Sequence, residues 1–134
     1  MFCKIEHIGI AVKNLEAANS MFQELANAHL LKVELVESEG VKTSFFKIGE
    51  SKIEFLEATH PESSIAKFIE KNGEGMHHIA FEVDDIFSEL ERLKNIGFQL
   101  INEVPKNGAD NKIIAFLHPK STNRVLIELC QEKK

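Results

Sequence analysis

The sequence predicts an α+β fold in which a βαβββ module occurs twice within one chain of 134 residues. Three observations lead there. Strand-like and helix-like stretches follow one another in the same order in both halves. The run His7-Ile-Gly-Ile-Ala-Val returns as His78-Ile-Ala-Phe-Glu-Val, at an offset of 78 − 7 = 71. Ile53-Glu54-Phe55-Leu56 returns as Ile127-Glu128-Leu129-Cys130, at an offset of 128 − 54 = 74, and a few residues of loop reconcile the two offsets.

Taken in order, residues 5–12 alternate as a strand. Asn14 is placed to cap a helix carrying Leu15, Ala18, Phe22 and Leu25 at helical spacing. Strands are expected near 30–37, 43–48 and 52–57, then a connecting helix near 62–72 that stops at Asn72-Gly73. The second module opens with a strand over 76–83. Asp85 caps a helix over 85–96 whose inner face is Ile86, Leu90, Leu93 and Ile96, with Gly97 as its stop. Strands over 98–103, 112–117 and 124–131 complete it. The chain therefore reads as one domain, 1–134, made of repeats at about 1–60 and 75–134 joined by a short helix.

Composition narrows the function classes. With 43% hydrophobic and 28% charged residues the chain can build one well-packed core. No run approaches the roughly 18 apolar residues of a membrane span. No basic segment followed by an apolar one opens the sequence, so no targeting signal is expected and the cytoplasm is the expected compartment. A net charge of −5 with dispersed lysines disfavours nucleic acid as a partner. Cys3 and Cys130, in apolar strand-like contexts near opposite ends, read as packing residues rather than a disulfide.

Strand parity says where the repeated polar residues point, because alternate residues face opposite sides of a sheet. His7 shares a face with Gly9 and Ala11, and His78 with Ala80 and Glu82. His77 has the wrong parity and turns toward the packed side or the strand's entry. Glu54 and Glu128 sit among apolar neighbours, where a lone carboxylate is costly to desolvate and requires a partner. A single His or Glu in a strand is usually structural. Four of them at matching places of a duplicated unit can instead supply a divalent metal with two nitrogens and two oxygens, leaving positions open for water or substrate.

The segments "IEHIGIAVKNLEAA", "GMHHIAFEVDDI" and "FLHPKSTNRVLIELCQ" together resemble the vicinal oxygen chelate (glyoxalase, bleomycin resistance and dioxygenase) superfamily, and within it the methylmalonyl-CoA epimerase branch. The resemblance spans nearly the whole chain. The paired histidines, the His-Pro-Lys after a strand and the late Ile-Glu-Leu carry it. It implies a curved mixed sheet of two βαβββ modules around a metal cleft, an acyl-CoA substrate, and commonly a homodimer. It places the metal ligands on His7, Glu54, His78 and Glu128, for an ion such as Co²⁺, Zn²⁺, Ni²⁺ or Mn²⁺. It implies epimerisation of methylmalonyl-CoA by removal and return of the C2 proton through a metal-stabilised thioester enolate, with Glu128 as a catalytic group as well as a ligand. An ethyl-substituted malonyl thioester would meet much the same chemistry.

One residue departs from the family pattern. Thr43 in "EGVKTSFF" stands where some members carry a second catalytic glutamate, which leaves the partner acid unassigned. His118 has two readings: it shapes the turn before Pro119, or with Lys120 it meets the CoA phosphates. Lys106, Lys112 and Arg124 read as solvated loop charges, and His29 and His60 as surface residues. A lactoylglutathione lyase would use a similar ligand set, but no arginine lies near the first strand to bind glutathione. An extradiol dioxygenase would not need Glu54, and a metal-free binding protein would not need four ligand-type residues.

Overall fold

The computed structural model describes residues 1–133. Its elements run β1 (Phe2–Ala11), α1 (Leu15–Ala26), β2 (Leu30–Val36), β3 (Val41–Ile48), β4 (Ser51–Ala58), α2 (Ser64–Asn72), β5 (Gly75–Val83), α3 (Ile86–Asn95), β6 (Lys106–Asn107), β7 (Lys112–Leu117) and β8 (Ile127–Glu132). The order βαβββ thus occurs twice, with α2 between the copies. By contacts the chain divides into two compact units, one of His7–His77 and one of Met1–Glu6 with His78–Lys134. They are called here the first and second module.

In the first module β2 pairs with β3 and β3 with β4, both antiparallel, and the His7–Ala11 part of β1 lies parallel to β4. In the second, β5 lies parallel to β8, β8 is antiparallel to β7, and β7 antiparallel to β6. Each sheet is mixed for the same reason. In each module the strand that leads into the helix lies parallel to the module's last strand, and the other neighbours pair antiparallel.

Each helix is started by the same pair of devices. Asn14 Oδ1 accepts from the Ala17 amide at 3.0 Å, and Glu57 Oε1 of β4 accepts from the Leu15 amide at 2.7 Å. In the second module Asp85 Oδ1 accepts from the Ser88 amide at 3.2 Å, and Gln131 Oε1 of β8 accepts from the Ile86 amide at 2.7 Å. Two of the orphan donors of each first turn are thereby satisfied, one locally and one by the strand beneath. Glu57 and Gln131 lie three residues after Glu54 and Glu128, so the duplication extends to these caps.

The helix faces largely follow the expected periodicity. Leu15 and Ala18 pack on Phe46 and Phe55, with Phe22 edge-on to Phe46 at 5.0 Å. Ile86, Leu90 and Leu93 pack on Val83, Ala115, Leu117 and Leu129. Two expected core positions differ. Leu25 is 74% exposed and Ile96 is 61% exposed. Each lies at the end of its helix, Ile96 as the C-cap, beyond the last turn that rests on the sheet. The α2 residue Ile65, with Phe68 and Ile69, covers Ala11, Val41 and Leu56.

The strand expected at 98–103 does not form. Among the described residues its only ladder contact is an isolated bridge, Leu100 to Leu117. The amides of Ile101 and Asn102 both converge on the Phe116 carbonyl, and Asn102 Oδ1 accepts from the Phe116 amide at 2.9 Å, so an Asn side chain replaces the backbone ladder. Phe98 and Leu100 still pack on the core, which is why the segment reads as strand-like. The strand in that place of the repeat is the two-residue β6. The last strand starts at Ile127 rather than 124, because Arg124 takes a positive φ of 66° in a turn onto Pro119.

Candidate functional site

The first module brings His7 and Glu54 together. Glu54 of β4 is in register with Gly9 of β1 and with Phe45 of β3, so His7, Gly9, Glu54 and Phe45 share one face of the sheet. Glycine at position 9 leaves space beside the two polar side chains. His7 and Glu54 are both buried, and His7 Nδ1 stands 3.0 Å from Glu54 Oε2. Lys32, whose ammonium lies over the Phe45 ring, belongs to the same face.

The second module repeats the arrangement with His78 and Glu128. Ala80 is in register with Glu128, which puts His78, Ala80 and Glu128 on one face. His78 Nε2 lies 3.2 Å from Glu128 Oε1, both residues are buried, and the Phe116 ring stands edge-on to the imidazole at 5.9 Å. His77, of opposite parity, instead meets Phe68 of α2 edge-on at 4.9 Å within the first module. The doubled histidine therefore splits between the two faces of β5, as parity requires.

Chemically, each pair offers an imidazole nitrogen and a carboxylate oxygen about one ligand–ligand spacing apart. Two donors each at about 2.0–2.2 Å from one ion stand roughly 3.0–3.5 Å from each other at ordinary coordination angles. The separations of 3.0 and 3.2 Å fall in that range, so each pair can supply two donors toward a divalent ion.

Other expectations meet corrections. Lys112 is not a solvated loop charge. It is 4% exposed, on β7, 3.7 Å from Asp110 Oδ2 and 3.6 Å from Glu132 Oε1. Its register with Glu132 puts it on the Glu128 face of the sheet. Lys106 is half-buried, with its ammonium over the Phe116 ring, rather than free in solvent. Arg124, His29 and His60 are exposed as expected. Cys3, near the start of β1 where the strand's first residues are exposed, is an exposed thiol rather than a packing residue; Cys130 is buried. Burial and the neighbouring carboxylates Glu128 and Glu6 push the Cys130 thiol far above its ordinary range.

His118 takes the turn-shaping reading: its Nδ1 accepts from the Lys120 amide at 3.1 Å. Glu6, 2% exposed, was missed. The criterion that picked out Glu54 and Glu128, a carboxylate inside an apolar strand, applies equally to "KIEHIG".

A family model described as the Glyoxalase/Bleomycin resistance protein/Dioxygenase superfamily matches residues 6–116, and the chain belongs to that superfamily. Its relatives include proteins named methylmalonyl-CoA epimerase. The ethylmalonyl-CoA/methylmalonyl-CoA epimerase of Cereibacter sphaeroides is 38% identical over 98% of this chain and 99% of its own. The protein YqjC of Bacillus subtilis is 39% identical over 97% of this chain and 93% of its own. A methylmalonyl-CoA epimerase variant of Streptomyces coelicolor, solved with 2-nitronate-propionyl-CoA, superposes with a TM-score of 0.95 at 33% identity, over 98% of this chain and 96% of its own.

Proposed function

We propose that this protein is a metal-dependent epimerase of methylmalonyl-CoA, and of the ethyl homologue named for the Cereibacter relative, which inverts C2 by removing its proton and returning one on the opposite face. The observation that carries this reading is the pair of buried His–carboxylate sets, His7 with Glu54 and His78 with Glu128, at matching places of the two modules. In this reading the four residues hold one divalent ion, one of Co²⁺, Zn²⁺, Ni²⁺ and Mn²⁺. When bound, the ion supplies Lewis acidity toward the oxygens on which charge develops as the proton leaves.

The residues of the chain then divide the work. His7 and His78 present ring nitrogens as the two nitrogen donors. Glu54 balances charge on the first-module side. Glu128 is also the proton-transfer group on its own face of C2, where its carboxylate takes the proton; the proton returned on the opposite face comes from water or another acid on that side. The aromatic ring of Phe116 limits water around His78 and Glu128. Thr43 is an alcohol, too weak an acid to serve as the second carboxylate.

Self-association belongs to the same reading. Leu31, Val33 and Leu35 of β2 alternate with Lys32 and Glu34 and are exposed, an apolar row suited to a second copy of the chain. The metal and substrate assignment is tested by incubating one C2 epimer of methylmalonyl-CoA with the metal-loaded protein and following appearance of the other. Conversion at an enzymatic rate is expected. Glu128→Gln should keep metal, since an amide oxygen coordinates, yet lose about 10²–10⁴-fold in turnover. Wild-type protein that binds metal but leaves the epimer unchanged would remove the assignment.

A further inference from the structure

Two hydroxyls of β3, Thr43 Oγ1 and Ser44 Oγ, are buried with no hydrogen-bond partner among the described residues. They are adjacent in sequence and face opposite sides of the sheet. Ser44 is in register with Phe55 and lies two residues from Phe46, so it points into the apolar core beneath α1. Thr43 lies two residues from Phe45, which is in register with Glu54, so it points to the face that carries Glu54 and His7. At 1% exposure it sits between the apolar patch covered by α2 (Val41 and Leu56) and the polar pair. A buried hydroxyl left unbonded costs about 1–3 kcal/mol. Ser44, walled in by phenylalanines, has no means of recovering that cost. Thr43 recovers it once an oxygen-bearing ligand occupies the face.

We infer that Thr43 is a substrate-positioning residue whose Oγ1–H donates a hydrogen bond to an oxygen of the acyl group of the bound acyl-CoA. This rests on the epimerase reading and deepens it. The hydroxyl transfers no proton to carbon; it fixes the acyl group against rotation, and its β-branch holds the Oγ in one rotamer. A polar group kept unpaired in the free protein is the usual exchange of stability for binding.

The test uses the whole protein with propionyl-CoA, which carries the thioester but no second carboxylate, and with methylmalonyl-CoA, both measured by calorimetry alongside thermal unfolding without ligand. Thr43→Val should weaken binding of at least one thioester about ten-fold while leaving the unliganded protein equally or more heat-resistant, because a methyl replaces an unpaired hydroxyl of the same shape. Thr43→Ser should restore binding. Ser44→Ala should leave binding untouched. Thr43→Val with wild-type affinity for both thioesters overturns the inference while the epimerase reading stands. Loss of heat resistance in Thr43→Val with unchanged affinity would mean that the hydroxyl serves the fold. Failure of the wild type to bind either thioester would remove both the inference and the reading on which it rests.

Discussion

At the residue scale, the division of labour between His77 and His78 follows from parity alone. His78 Nε2 stands 3.2 Å from Glu128, whereas His77 packs on Phe68. His78→Ala is expected to abolish tight metal binding and His77→Ala to retain most of it, measured as bound metal per chain after gel filtration; the reverse pattern would overturn the alignment of the two modules. Glu54→Gln should keep the metal, because an amide oxygen can still coordinate. The pairing of each histidine with its carboxylate was legible because period 2 is fixed by the strand itself. Lys112 was misread because a lysine beside an Asn-Gly-Ala-Asp loop looks solvated, and only the folded sheet brings Asp110 and Glu132 to it.

At the scale of elements, the caps connect the strands that carry Glu54 and Glu128 to the helices. Glu57 and Gln131, one strand turn beyond Glu54 and Glu128, bond the first amide of α1 and α3 at 2.7 Å each. Gln131→Ala should cost about 1 kcal/mol, the usual value of a cap, seen as a lower urea midpoint at unchanged slope. Deleting core volume from the same helix is more severe: Leu90→Ala should cost about 2–5 kcal/mol. Helix starts were legible from Asn14 and Asp85, since capping is local. The long-range partners Glu57 and Gln131 were not, because nothing local marks a strand residue as a cap. The irregular 98–103 segment escaped for a related reason. Its Phe98, Leu100 pattern is that of a strand, yet the Asn102 side chain takes the hydrogen bond on which the ladder would depend.

At the scale of the whole molecule, one His–carboxylate pair comes from each module, so a ligand that engages all four residues binds only the folded chain. Chelation should therefore lower the melting temperature as well as stop turnover. At free metal of one hundred times its Kd the linkage amounts to about 2.7 kcal/mol, and re-addition of metal should reverse it. Calorimetry with and without chelator checks this. The two-module order was legible because it is written twice, so that each half confirms the other. No helix among the described residues is long and apolar enough to cross a membrane, in keeping with the absence of an apolar run in the sequence. The central claim is that this duplicated site labilises the C2 proton of a malonyl-type thioester. It is tested most directly by incubating methylmalonyl-CoA with metal-loaded protein in heavy water and following C2 by NMR and mass spectrometry. Deuterium should appear at C2 as the configuration scrambles, and Glu128→Gln should suppress both; a C2 that keeps its proton in the presence of metal-loaded wild type would contradict the account.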